Sequence, residues 1–269
     1  MYPRAQALDK DSPFIFVPEG QGSSSLVYDK RTSMEDFNSL QFLRLLQLTD
    51  SALPIGSTAH SFGLETLAVE GDLDVTQLES FLQDYVMEAA RLEATFCRLG
   101  YRLTSLTEQD KLLEHWLELN NRLSAFKTAR ESRVASATLG RRFLQLVASL
   151  EDEPLLLDLQ KVAKSHGVDI HYSPAFGLVG GILGVEETTV VLAYLQQFLQ
   201  SHIFTFQRLL PLGQSQASAI MWRIKPILLA VADQSEVLAL HPEDIAVLMP
   251  LPDLASMRHP TLETRLFVS

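Results

Sequence analysis

Glu93 and Cys97, one helical turn apart, are the residues here whose types and spacing come nearest to covalent chemistry. A thiol attacks as its thiolate, which needs a base or a nearby cation. No histidine lies close to Cys97 in sequence, so a buried structural thiol is the expectation. The seven histidines are His60, His115, His166, His171, His202, His241 and His259. None has a second at i+4, the spacing that sets two metal ligands on one helical face. His171, beside Tyr172 and Pro174, reads as a hydrogen-bonded residue at a helix start. No Gly-x-x-x-x-Gly-Lys phosphate loop and no serine nucleophile elbow occur. These absences argue against a self-sufficient hydrolase, an NTPase or an evident metalloenzyme. They leave room for a scaffold.

Two further groupings bear on binding. Arg122, Lys127, Arg130, Arg133, Arg141 and Arg142 are opposed only by Glu131. They form either a solvated helix face or a dock for an acidic protein. Gly177 and Gly181, and likewise Gly180 and Gly184, stand four apart and leave a helical face bare of side chains. Glycine costs about 1 kcal/mol at an interior helical position, and close approach of another backbone is a reason to carry that cost.

The elements that must position these residues read as helices. The chain has 269 residues, 46% of them hydrophobic, with scarce strand-type alternation, so an all-α fold is predicted. Net charge is −11, a poor match for a nucleic-acid backbone. A single cysteine excludes an internal disulfide and fits a reducing compartment. No apolar run reaches the roughly 18 residues a membrane span needs. Asp9, Lys10 and Asp11 stand where a signal peptide has its apolar core. A soluble, cytoplasmic protein is expected.

Residues 1–32, rich in Pro, Gly and Ser, read as a mobile extension. Within them Phe14-Ile15-Phe16-Val17 is a short apolar run that either docks on the body, docks on a partner or stays disordered. Ser33 is placed to cap a first helix with Phe37, Leu40, Leu43, Leu46 and Leu48 as its apolar face. That helix breaks at Leu53-Pro54-Ile55-Gly56, a bend expected to be buried. Gly71 ends the second helix, and Asp74 with Gln77 forms a capping box for a long third one that reaches about Leu103. Helices follow over 108–126 and 128–150. Another opens at Pro154 and ends at Gly167, the glycine helix comes next, and Thr188 or Thr189 caps one that runs to Leu210. The expectation is a single helical-bundle domain of about ten helices over 33–249. From Pro250 the periodicity is lost, so 250–269 reads as a non-helical, partner-binding tail, which an isolated body would not need.

Several separated segments resemble the UreF family of urease accessory proteins, over roughly residues 40 to 269. They are Ala52-Leu53-Pro54-Ile55-Gly56 with Ser61 and Gly63-Leu64-Glu65; Thr128-Ala129-Arg130-Glu131-Ser132-Arg133 with Gly140-Arg141-Arg142-Phe143-Leu144; His171-Tyr172-Ser173-Pro174-Ala175-Phe176-Gly177; Arg208 with Pro211-Leu212-Gly213-Gln214; and a terminal Asp253-Leu254-Ala255-Ser256-Met257-Arg258-His259 with Arg265-Leu266-Phe267. Departures stand at Ser57-Thr58-Ala59-His60, where the family has Gly-Gly-Phe and an aromatic, at Pro260 in place of a glutamate, and at Val268.

The resemblance implies an all-α, dimeric, non-enzymatic protein that bridges UreD (also called UreH) to the GTPase UreG while nickel is delivered to apo-urease. Met257, Arg258, His259, Arg265, Leu266, Phe267, Arg130 and Arg133 are then the expected partner-binding residues. Pro54, Gly56, Gly177, Gly180, Gly181 and Gly184 are expected to be structural. No cofactor, catalytic residue or metal ligand is expected. Two other readings remain: a helical enzyme of the haem-oxygenase or thiaminase-like kind, with Cys97 or a histidine at its centre, and a generic helical adaptor.

Overall fold

The computed structural model describes residues 34–268, which fold into α1 (Met34–Leu48), α2 (Leu64–Val69), α3 (Leu78–Tyr85), α4 (Arg91–Arg102), α5 (Gln109–Phe126), α6 (Arg130–Leu150), α7 (Pro154–His166), α8 (Tyr172–Ile182), α9 (Glu187–Leu209), α10 (Gln214–Leu240) and α11 (Pro250–Arg258). A π turn over Val86–Ala90 joins α3 to α4 as one unbroken helix, so the long third helix of the sequence reading is present, with ten helices in all among the described residues. No strand occurs among them. No helix there is long and apolar enough to cross a membrane. The readings of residues 1–32 and of Ser33 as a cap lie outside the described residues.

Local chemistry accounts for the breaks. Asp74 accepts from the amides of Thr76 and Gln77 at 2.7 and 3.1 Å while Gln77 Oε1 accepts from the Asp74 amide, the reciprocal pair of a capping box. The bend at 50–63 buries Leu53 and Ile55 and leaves Pro54 exposed. Gly56 sits there at φ 81°, where a side chain is strained, and its added Cβ would lie 2.6 Å from Arg142 Nη1. The helix after Gly184 is capped by Glu186 rather than by a threonine. Its carboxylate accepts from the Thr188 and Thr189 amides at 2.7 and 2.6 Å, an anion at the positive end of the helix dipole.

Helix α4 is the central element, with α5, α8, α9 and α10 packed around it. Its Arg98 is 2% exposed, yet every branch of the guanidinium is engaged: Nη1 on Glu187 at 2.8 Å, Nη2 on the Ala232 carbonyl and Nε on Ser235 Oγ. That ties α4, α9 and α10 together with no unpaired buried charge. Helix α8 is buried from Tyr172 to Gly180. A Cβ on Gly177 would fall 1.7 Å from the Cys97 carbonyl oxygen, and one on Gly181 2.6 Å from Thr104 Oγ1, so α8 lies backbone to backbone on α4. Gly100 of α4 returns the contact, with Pro174 against it. Gly180 faces Val190 of α9, and Gly184, at φ 68°, receives the Gln41 amide.

Helix α1 departs from its reading. Gln41, Leu45 and Leu48 turn inward, whereas Leu40, Leu43 and Leu46 of the expected inner face point out together with Phe42. Gln41 is buried beside Gly184, its amide nitrogen 2.8 Å from where a Cβ there would stand, on the same side as Leu45 and Leu48.

Candidate functional site

Sequence reasoning put the chemistry-bearing residues in one set and the tail in another. In the structure the two meet, since Glu93, Lys127 and His202 share the lining of one cavity with Met249, Pro252 and Asp253. The first set is a buried polar cluster at the start of α8. His171 caps α8 with extended backbone and donates its amide to Asn120 Oδ1 at 2.8 Å. Its ring is held at both nitrogens, Nε2 by Ser124 Oγ at 2.7 Å and Nδ1 by Ser136 Oγ at 3.1 Å. Burial, reinforced by the nearby charge of Lys127, pushes its pKa down to about 3, so the ring is neutral. With both nitrogens occupied it offers no lone pair to a metal.

Beside it Ser173 and Tyr194 donate to Glu93 Oε2, and the Lys127 ammonium bonds Glu93 Oε1. Burial alone would raise the Glu93 carboxyl, but the Lys127 charge and these hydrogen bonds hold it below its ordinary value. Glu93 therefore serves Lys127 and α8 and does not act as a base for Cys97. The Cys97 thiol is fully buried, and that burial pushes its pKa up, which makes it inert.

Tyr85, Glu93, Lys127, Tyr194, Phe198 and His202 border a cavity of about 90 Å³. The His202 ring is fixed by Nδ1 donating to the Phe198 carbonyl at 2.6 Å, and its Nε2 has no hydrogen-bond partner among the described residues. Burial lowers its pKa to about 4. Among the described residues only His241, Glu243 and Asp244 gather three potential metal-ligating atoms, and all three are exposed on the turn after α10. They form no part of either set.

These two neutral histidines set an acid response. In the unfolded chain each takes up a proton near pH 6.5. Between that value and their folded pKa values of about 3 and 4 the unfolded state binds more protons, so stability falls as pH falls. Above pH 6.5 their contribution is complete. We expect a loss of roughly 4 kcal/mol between pH 7 and pH 5, read from urea denaturation at both values. An unchanged midpoint would mean that both rings reach water.

The second set is the tail, where the structure overturns the non-helical reading. Residues 250–258 form α11, followed by a 3₁₀ turn over His259–Thr261 and an irregular segment from Leu262. Pro250 and Pro252 occupy the first turn, where a missing amide is harmless. The helix is hidden from a periodicity search because its large apolar residues face outward and its inward residues are Ala255 and Ser256. It is seated on α2 and α6: Gly63, at φ 86°, lets the Pro252 carbonyl and Ser256 amide approach, Ser256 Oγ bonds Ser132 Oγ at 2.9 Å, and Asp253 accepts from Thr128 at 2.6 Å.

Beyond α11 the chain is latched by one carboxylate. Glu65 of α2, 2% exposed, accepts from His259 Nε2 at 2.7 Å and from the backbone amides of Leu266 and Phe267. The Val268 amide donates to the Ala59 carbonyl at 2.8 Å, and the Arg208 guanidinium lies 4.2 Å above the Phe267 ring. His259 and Phe267 are thus anchors to the chain's own body, a correction to their expected place on a partner. Deleting residues 258–269 removes part of the packed structure, contrary to the expectation that the body does without them. Met257, Arg258, Arg265 and Leu266 are exposed. Arg258 pairs with Glu70 at 2.8 Å, and Arg265 is in no ion pair among the described residues.

The basic series is dispersed. Arg122 donates to the Pro242 carbonyl, Lys127 is paired with Glu93, Arg133 donates to the Lys127 carbonyl at 2.8 Å, and Arg142 reaches the Ile55 carbonyl. Arg130 and Arg141 remain exposed. Four of these side chains are thus engaged by neighbours of their own. Sequence reasoning missed Glu65 as the latch. The signal was a lone acid amid Leu64, Thr66 and Leu67, where a buried charge demands partners.

The UreF family model matches residues 73–225, which spans α4, the polar cluster and α8. The urease accessory protein UreF of Trichormus variabilis is 32% identical over 230 residues, covering 85% of this chain and 96% of the relative. The proteins of the same name from Bacillus sp. (strain TB-90) and Corynebacterium glutamicum are each 31% identical, covering 85% and 84% of this chain and 99% and 96% of their own lengths. With a family model over more than half its length and relatives aligned nearly end to end, the chain belongs to the UreF family.

Proposed function

We propose that the protein is a non-catalytic adaptor of urease maturation, which as a cytoplasmic homodimer joins UreD (UreH) to the GTPase UreG while nickel is delivered to apo-urease. The observation that carries this reading is the outer side of the latched tail. Leu248, Leu251, Leu254, Met257, Leu266 and Val268 are all exposed there, on a segment whose other side is pinned to the body. Leu251, Leu254 and Met257, three apart along α11, form an apolar strip held in a defined shape, which is what a protein partner buries. The accessory-protein name shared by the relatives supplies the process, and family resemblance supplies the partners. Against the rival reading as a helical enzyme with Cys97 as its nucleophile stands the full burial of that thiol.

The test is a triple substitution, Leu251→Ser, Leu254→Ser and Met257→Ser, in the full chain. These side chains face water, so helix content is expected to hold. Co-purification with a UreD-type partner is expected to be lost, and urease activation in a co-expression assay with it. Capture at the original level by the folded variant would remove the strip from the interface. GTPase activity of the purified protein alone would remove the adaptor reading altogether.

A further inference from the structure

The cavity bordered by Glu93, Lys127 and His202 is also bordered by Pro252 and Asp253 of α11 and by Met249 just before it. Six further rings line it: Phe62, Tyr85, Phe126, Tyr172, Tyr194 and Phe198. Phe62 holds its place through a φ of 52°, the one positive value outside glycine among the described residues. Its ring centroid stands 5.9 Å from that of His202. The next residue, Gly63, lets α11 approach, so one left-handed pair sets both a wall of the cavity and the helix beside it.

Two polar groups of the lining keep hydrogen-bonding capacity that the fold does not use. His202 is 4% exposed, and with Nδ1 donating to the Phe198 carbonyl the neutral ring has a lone pair at Nε2. No group among the described residues donates to it. The Lys127 side chain is 10% exposed. Of the three N–H groups of an ammonium, one goes to Glu93, its only hydrogen bond among the described residues. Buried donors and acceptors left unmatched are costly, and a bound molecule that matches both removes that cost.

We propose that this cavity binds a compact, neutral, planar molecule that carries a hydrogen-bond donor and an acceptor on a single unsaturated ring. Size sets the first limit: about 90 Å³ is the share of roughly three waters in the liquid, which one five- or six-membered ring also fills. The aromatic walls favour a flat body that can stack or meet them edge to face. Charge sets the second limit. Glu93 and Lys127 already neutralise each other, Asp253 opposes an anion, and the unmatched Lys127 N–H groups oppose a cation. The donor of the occupant serves His202 Nε2, and its acceptor serves Lys127. Apolar walls with a few polar groups are the usual make-up of a small-molecule site.

Because α11 contributes to the lining, an occupant touches the body and the start of α11 together. It binds only where α11 is seated and holds that seat by mass action. The site stands whether or not the outer side of α11 docks a partner.

The probe is pyrazole, a neutral ring with adjacent N–H and N, titrated into the full chain and followed by ligand-observed NMR. Thiophene, a ring of similar size without the N–H and N, is the control. Pyrazole is expected to bind about tenfold more tightly than thiophene, the effect of one hydrogen bond to a buried group, and to slow amide exchange at residues 249–256. His202→Phe keeps a ring in place and removes the lone pair, so it should weaken pyrazole about tenfold and leave thiophene unchanged. Ala89→Leu puts extra carbons at the cavity wall, where Ala89 is 4% exposed, and should abolish binding of both. If Ala89→Leu disturbs the turn into α4, His202→Phe still decides. No binding of pyrazole, equal binding of the two rings, or undiminished pyrazole binding in folded His202→Phe overturns the proposal.

Discussion

Gly177→Ala is expected to cost more than about 3 kcal/mol or to prevent folding, although alanine is ordinarily the better helix former by about 1 kcal/mol. The sign reverses because the added methyl would sit 1.7 Å from the Cys97 carbonyl oxygen, a backbone atom inside the central helix. A flexible side chain could swing away, but a carbonyl in α4 moves only if α4 or α8 moves. Gly213→Ala is the control: its Cβ meets nothing within 4 Å, and a change within about 0.5 kcal/mol is expected. Thermal and chemical denaturation of the two variants checks the pair. Equal midpoints would mean that α4 and α8 are not in backbone contact in solution.

Glu65→Leu is expected to destabilise by about 3–5 kcal/mol, because it leaves several buried donors without an acceptor at about 1–3 kcal/mol each. The leucine fills the volume, but His259 Nε2 and the Phe267 amide are left without an acceptor in a dry site. The effect should be graded along the chain. Amide exchange at residues 259–268 should rise most, because those residues lose their attachment, while α4 and α8 stay protected. Glu65→Gln should fall between the two, since an amide oxygen can still accept one of the bonds. A stable Glu65→Leu protein with a protected tail would show that packing of Phe267 and α11 holds the segment without the carboxylate.

The glycine pairs at 177–184 and the capping box at Asp74 were legible because each rule is local: a spacing, or a reciprocal bond across three residues. The long helix through α3 and α4 was legible for the same reason. The π turn at Val86–Ala90 was not, since an inserted residue shifts helical phase without leaving a residue type that marks it. The inward side of α1 was misread because Gln41, a polar residue, takes a buried position beside the distant Gly184. The tail was misread for a related reason. Periodicity assumes that large apolar residues point inward, and in α11 Leu251, Leu254 and Met257 point out while Ala255 and Ser256 face the body. Glu65 could not be assigned a role from its neighbours, because its partners lie some two hundred positions away.

That separation has a consequence for how the molecule is made. Glu65 and the Leu266 amide are 201 positions apart. At ribosomal rates of roughly 5–20 residues per second, the carboxylate emerges on the order of 10–40 s before the chain that closes over it. During that interval α2 can fold only with Glu65 hydrated, so the wall beside Ser61 and Gly63 stays open to water. The strip of Leu251, Leu254 and Met257 acquires its fixed orientation only when His259 and Phe267 arrive. A nascent chain thus carries no finished docking strip, and a partner that reads the strip's shape engages completed molecules in preference to chains still under synthesis.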